Sequence, residues 1–227
     1  MGSSRLPGKV LKKLLNKEIL LWCYERCNKS LADVVYIATS NNSENDVLEE
    51  LCIENKILCH RGSECDLLDR YYTLAKSLNE KNLNVIRVTS DCPFIDTVMI
   101  NDMINFFENN SYDYIINHSN SGVTPEGSGI EIINFRSLEY LWLNELDANF
   151  REHATGLLSK VNKYDNIIKK GEYIYYPFVI NDNQNHIKNL KISVDTEKDY
   201  KTSEQIVNHF KTYDFSYKDI LLYFLNK

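Results

Sequence analysis

The richest anion-binding chemistry in the chain lies in its first nine residues, Met1-Gly2-Ser3-Ser4-Arg5-Leu6-Pro7-Gly8-Lys9. Two glycines and a proline set a tight loop, Ser3 and Ser4 add hydroxyls, and Arg5 and Lys9 add two positive charges. Successive N–H groups in such a loop converge on a concavity for an anion. Guanidinium and ammonium groups then add charge-assisted bonds to phosphate oxygens, about 1.5–3 kcal/mol each. These residue types describe a phosphate cradle. The plainer alternative is a flexible leader followed by a Pro-Gly turn. The ATPase phosphate loop is a poor match, because five residues separate Gly2 from Gly8 and Val10 follows Lys9. That motif requires four residues, then Ser or Thr after its Lys.

Two carboxylates complete the set. Asp91 follows an apolar run and sits in a turn made by Pro93, while Asp195 follows Leu190 to Val194 and precedes a helical pattern. Each has two readings. A carboxylate at such a place caps the next turn or helix, and Asp195 is a natural N-cap. Alternatively the pair shares a Mg²⁺, an ion held by one or two carboxylates plus substrate phosphates. The residue types leave both open.

The elements that must position these groups are legible from periodicity. Helical patterns run over 16–28, 44–55, 66–78, 97–109, 136–146, 150–161, 196–210 and 216–225. Short apolar or β-branched runs at 33–39, 57–60, 85–89, 112–117 and 130–135 read as strands, as do 173–180 and 190–194, for which an antiparallel placement against the rest is open. Strands alternating with helices imply βαβ units and a mainly parallel sheet, an α/β fold in which ligands bind beyond the carboxyl ends of the strands. Ser40-Asn41, Arg61-Gly62 and Ser90-Asp91 all fall at such ends. The loop 118–129 carries three glycines and a proline.

Composition sets the bounds. At 227 residues, 43% hydrophobic and 26% charged, the chain is one α/β domain, 1–227, with 211–227 as a helical extension. No run approaches the roughly 20 apolar residues of a membrane span, and the expected location is the cytoplasm. A net charge of −6 argues against general nucleic-acid binding, though not against one bound nucleotide. The six cysteines form no C-x-x-C pair and read as free thiols.

Taken in order, SSRLPGKVL, ATSN, RGSECDLLDRYY, TSDCPFID, REHAT and LKISVDTEKDY resemble the cytidylyltransferases of the SpsF type, within the group that contains the CMP-Kdo and CMP-sialic acid synthetases. The resemblance extends to about Phe210. It implies a Rossmann-like nucleotide-diphospho-sugar transferase fold with a mixed, mostly parallel sheet flanked by helices. It also implies CTP as donor, Mg²⁺ dependence and a homodimer. Residue by residue, Arg5 and Lys9 match triphosphate-binding positions, and Asp91 and Asp195 match metal-binding aspartates. Ser3, Ser4, Thr39, Ser40, Thr89 and Ser90 fall at nucleotide-binding positions. Glu131, Arg151 and His153 match acceptor-side positions, with helix-start packing as the other reading of Arg151 and His153. The implied reaction transfers CMP from CTP to a sugar acid or related acceptor, releasing pyrophosphate, in the synthesis of surface polysaccharide precursors.

Three departures from the family pattern bear on this. Gly129 stands where the pattern has an acidic residue, and Thr89 stands where the sugar-acid synthetases commonly have Gln. Relatives also carry a hydrophobic strand and a Gln-Ala-Arg segment before the equivalent of Gly2. Met1 is therefore expected to be an internal Met of a longer chain. Two other function classes compete: a nucleotide-sugar glycosyltransferase, against which stands the lack of an Asp-x-Asp pair, and a non-catalytic nucleotide-binding remnant.

Overall fold

The computed structural model describes residues 2–80, 82–117, 125–152 and 190–227. The opening loop runs into a 3₁₀ turn at Lys9–Leu11 and a small antiparallel hairpin, β1 (Lys13–Leu14) with β2 (Lys17–Glu18). The hairpin corrects the expected helix start: Leu15 turns with φ of 56°, and α1 spans only Ile19–Asn28. Trp22 of α1 is buried and donates its indole N–H to the Leu14 carbonyl at 3.0 Å, which pins the hairpin to the helix.

The alternating pattern follows: β3 (Tyr36–Ser40), α2 (Asp46–Glu54), β4 (Leu58–Gly62), α3 (Leu67–Ser77), β5 (Asn84–Arg87), α4 (Thr97–Glu108), β6 (Tyr114–Ile116), β7 (Glu131–Asn134) and α5 (Phe135–Asn144). β3 pairs with β4 in parallel, with Thr39 opposite Arg61 and Ser40 opposite Gly62. β7 lies between β5 and β6 and is antiparallel to both. The described strands are thus mixed in direction.

β6 and the middle of β7 are buried on both faces, which is why they read as continuous apolar runs. Ile132 faces a core with Trp22, Phe94, Ile100 and Met103, whereas its neighbour Ile133 faces Leu68, Tyr72, Leu138 and Leu141. Alternation along β7 therefore places α1 and α4 on one side of the sheet and α3 and α5 on the other. Burying each such isoleucine stabilises the fold by about 1.5–3 kcal/mol.

A short helix α6 (Ala148–Arg151) follows, and α7 (Glu197–Phe210) and α8 (Tyr217–Leu225) close the chain. Phe215, Tyr217, Ile220 and Leu221 pack into the core that holds Trp22 and Phe94, so the last helix is built into the domain. Residues 190–194 differ from expectation. They make no ladder among the described residues, and Lys191 forms a single bridge, parallel, with Glu126. The expected strand 173–180, most of the expected helix 150–161, and part of the loop 118–129 lie outside the described residues.

Candidate active site

The opening loop closes tightly on itself. Gly8 sits in the left-handed region with φ of 65°, where a side chain is disfavoured. Ser3 Oγ accepts from the Leu6 N–H, Lys9 N–H donates to the Leu6 carbonyl at 3.2 Å, and Leu6 itself is buried. This anchors Lys9 so that its side chain reaches across the ends of two distant segments.

Lys9 Nζ lies 2.6 Å from Asp91 Oδ2 and 2.8 Å from Asp195 Oδ1. Arg5, largely exposed, approaches the same Asp195 oxygen at 3.0 Å. The other Asp195 oxygen faces Lys191 Nζ at 2.8 Å, and Lys191 also pairs with Glu126 at 2.7 Å and Asp199 at 3.5 Å. Arg5 and Lys9 of the opening loop thus meet Asp91 and Asp195, which are far from them and from each other in sequence, at one place.

The capping reading of both aspartates fails on geometry. Thr196 is the N-cap of α7, and its capping box is completed by Asp199, whose Oδ2 accepts from the N–H groups of Asp195 and Thr196. Asp96 is the N-cap of α4, accepting from Val98 and Met99. Neighbours thus satisfy the helix ends and leave the Asp91 side chain to Lys9 and that of Asp195 to Lys9, Arg5 and Lys191.

The electrostatics follow from this crowding. Partial burial pushes the Asp195 carboxyl up, but hydrogen bonds from Lys191 and Lys9 outweigh it and bring its pKa down to about 2. Burial works against the Lys9 ammonium, yet its bonds to Asp195 and Asp91 raise it above its ordinary value. Cys92 donates its S–H weakly to Asp91 Oδ1 at 3.6 Å, and its thiol is pushed up by burial and by Asp91. It stays a neutral thiol.

The remaining expected residues divide. Thr39 and Ser40 are buried at the carboxyl end of β3, where Ser40 Oγ accepts from Asn45 Nδ2. Thr89 and Ser90 are exposed on the turn before Asp91. Ser4 is exposed beside Arg5. Glu131 is buried and pairs with Arg87 at 2.6 Å across the β5–β7 register. Arg151 is bound to Asp66 at 2.7 Å and to the carbonyls of Trp142 and Glu145, so it clamps α6 to α5 and to the start of α3. His153 lies outside the described residues.

Lys191 and Gly127 escaped the sequence reading. Leu190, Ile192 and Val194 are buried, so alternation puts Lys191 and Asp195 on one face. That signal was present in LKISVD. Gly127, at φ of 103°, lets 126–128 lie against 192–193, where a Cβ would press into the backbone of Ile192 and Ser193.

The donor set suits a hard cation. Asp91 and Asp195 offer carboxylate oxygens no further apart than their two contacts to one ammonium laid end to end. Among the described residues no third acidic, His or Cys side chain joins them as a closed metal cage. Mg²⁺ fits such a pair, because it keeps most of its shell for water and phosphate.

Known proteins share this framework. A family model described as cytidylyltransferase matches residues 1–220. The spore coat polysaccharide biosynthesis protein SpsF of Bacillus subtilis is 34% identical over 163 residues, 68% of this chain and 65% of that protein. A 3-deoxy-manno-octulosonate cytidylyltransferase of Saccharophagus degradans is 32% identical over 112 residues, 49% of this chain and 43% of that protein. The structure of a cytidylyltransferase from Leptospira borgpetersenii superposes with a TM-score of 0.82 at 27% identity, covering 100% of this chain and 90% of that one. On this evidence the fold is the Rossmann-like nucleotidyltransferase fold, and the chain belongs to the cytidylyltransferase family.

Proposed function

We propose that this protein transfers CMP from CTP to a sugar acid or related acceptor, releasing pyrophosphate, in the synthesis of a surface polysaccharide precursor. The observation that carries the reading is Lys9 Nζ held between Asp91 and Asp195 at the mouth of the opening loop. It sets cations for a polyphosphate beside two carboxylates for a metal. The names of the relatives, a spore coat polysaccharide protein and a 3-deoxy-manno-octulosonate cytidylyltransferase, support the pathway and the acceptor class.

On this reading the loop N–H groups, with Ser3 and Ser4, cradle the triphosphate, and Arg5 and Lys9 offset its negative charge. Phosphoryl-type transfers leave the protein mainly to position reactants and neutralise charge. The acceptor hydroxyl attacks the α-phosphorus and the bond to the β-phosphate oxygen breaks. Lys9 and Arg5 then hold the pyrophosphate as its charge grows. Thr39, Ser40, Thr89 and Ser90 flank the nucleoside, and Glu131, Arg151 and His153 belong to the acceptor side. Asp91 and Asp195 would hold Mg²⁺, which when bound neutralises phosphate oxygens and polarises the acceptor hydroxyl. The active assembly is a homodimer in the cytoplasm.

The test is pyrophosphate release from CTP and Mg²⁺ across a panel of 2-keto sugar acids, with UTP and ATP as controls. Release that requires CTP and one acceptor class supports the proposal. Transfer from a preformed sugar nucleotide without pyrophosphate release defeats it.

A further inference from the structure

Each carboxylate of the aspartate pair gives one oxygen to Lys9 and the other to a different partner. Asp195 Oδ2 lies 2.8 Å from Lys191 Nζ, and Asp91 Oδ1 lies 3.6 Å from Cys92 Sγ. The remaining two oxygens, Asp91 Oδ2 and Asp195 Oδ1, both contact Lys9 Nζ, at 2.6 and 2.8 Å. An ammonium and a divalent cation exclude one another at such a place. The ammonium stands about 2.7–2.9 Å from each carboxylate oxygen, Mg²⁺ takes oxygens at about 2.0–2.1 Å, and their like charges repel.

The charge balance points the same way. Lys9, Arg5 and Lys191 all contact the two carboxylates, while Glu126 and Asp199 offset Lys191. A divalent cation arriving alone therefore meets a pair that is already neutralised. What can move is the Lys9 side chain. Its backbone is fixed by its N–H bond to the Leu6 carbonyl at 3.2 Å and by the Lys12 N–H on its own carbonyl at 3.1 Å. Its four-carbon stem is flexible and its donors rotate.

We infer that the Lys9 ammonium is a tethered stand-in for the divalent cation, seated between Asp91 and Asp195 until a bound triphosphate draws it off. On the function proposed above, on which this rests, phosphate oxygens compete with the carboxylates for the ammonium. When Lys9 turns to them it leaves one oxygen of each aspartate free. Lys191 stays behind, because its contact with Glu126 at 2.7 Å ties it to a different segment, and Asp195 keeps its orientation. Nucleotide and cation then bind with positive coupling, each raising the affinity for the other by the same factor. Without nucleotide the pair stays neutralised by Lys9 and takes a divalent ion only weakly.

The test is Mn²⁺ binding without nucleotide, read by electron paramagnetic resonance of the free ion, in the parent and in Lys9→Met, Lys191→Met and Lys9→Met/Asp195→Asn proteins. Lys9→Met is expected to bind Mn²⁺ at least about tenfold more tightly than the parent, the scale of one charge-assisted contact. Asp195→Asn should abolish that gain. Lys191→Met removes an equal charge from the other side of Asp195 and should tighten binding much less. Lys9→Gln, which keeps a neutral donor, takes the place of Lys9→Met if circular dichroism shows that protein unfolded. With CTP added, and the Mn²⁺–CTP complex in solution allowed for, the gain in Mn²⁺ affinity should be larger in the parent than in Lys9→Met by about the same factor. Equal Mn²⁺ affinity in the parent and Lys9→Met overturns the inference and leaves the metal assignment standing. Equal tightening by Lys191→Met, an equal gain from CTP, or no Mn²⁺ binding by Lys9→Met overturns it as well. If Asp195→Asn leaves the Mn²⁺ binding of Lys9→Met unchanged, the metal assignment falls and the inference falls with it.

Discussion

The backbone N–H of Val194 donates to the carbonyl of Asp91 at 2.9 Å. That bond ties the turn after β5 to the segment before α7, and the Asp91 and Asp195 side chains meet at Lys9 as a result. The convergence is therefore built into the backbone and does not depend on the Lys9 contacts alone.

Asp91→Asn and Asp195→Asn are each expected to lower Mg²⁺-dependent pyrophosphate release by about 10²–10³-fold, the usual scale for removing one charge-stabilising group. Far-UV circular dichroism should stay unchanged, because helix capping belongs to Asp96 and Thr196. Near-normal turnover in either variant would refute the metal assignment.

Lys9→Ala should weaken CTP binding about ten- to a hundredfold, corresponding to one charge-assisted hydrogen bond of about 1.5–3 kcal/mol. Calorimetric titration in the presence of Mg²⁺ measures it. An unchanged affinity removes Lys9 from the triphosphate site.

Gly127→Ala tests the close approach that presents Lys191. With φ of 103° and the backbone of Ile192 and Ser193 in the way, the substitution should cost about 1–3 kcal/mol in urea unfolding. A wild-type midpoint would show that 126–128 and 192–193 are not held together as described.

Thr196→Ala removes the N-cap hydroxyl of α7 and half of its capping box. The expected loss is about 0.5–2 kcal/mol of stability. Asp199 also loses the hydroxyl of Thr196, a hydrogen-bond donor to the Oδ2 that receives the Asp195 N–H, so a smaller fall in turnover should accompany it. Stability equal to the parent would contradict the cap.

His60 provides a pH probe away from the site. Burial, with Arg70 nearby, moves its imidazole below the ordinary 6.5. Between the folded and unfolded values the unfolded chain binds more protons, so stability rises with pH through that window. The cost is absent above about pH 6.5 and grows as pH falls, until folded His60 is itself protonated. A proton-NMR titration of His60 with a midpoint at or above 6.5 would contradict the direction.

Much of the fold could be read locally. Periodicity located α3 and α4 to within a residue or two, because their apolar stripes repeat every three to four positions. It misread 16–18, where a two-strand hairpin replaces the first helical turn. The turn at Leu15 depends on packing Leu14 and Trp22 together, which no propensity expresses. Lys191 is readable from alternation alone, but a lysine in an extended run is ordinarily just solvated, so its type does not single it out.

By itself the sequence determined the residue types at the site: an anion-binding loop with Arg5 and Lys9, and aspartates at the ends of two extended runs. Local signals sufficed there, since glycine, proline and charge act over a few residues. Only the tertiary structure decided what the aspartates do. Whether Asp195 caps α7 or faces Lys9 depends on Thr196 taking the cap and on a lysine 186 positions away arriving at 2.8 Å. The pairing across the sheet was likewise beyond local reading. The antiparallel place of β7 arises from contacts between distant segments, and a single strand's pattern does not name its neighbours.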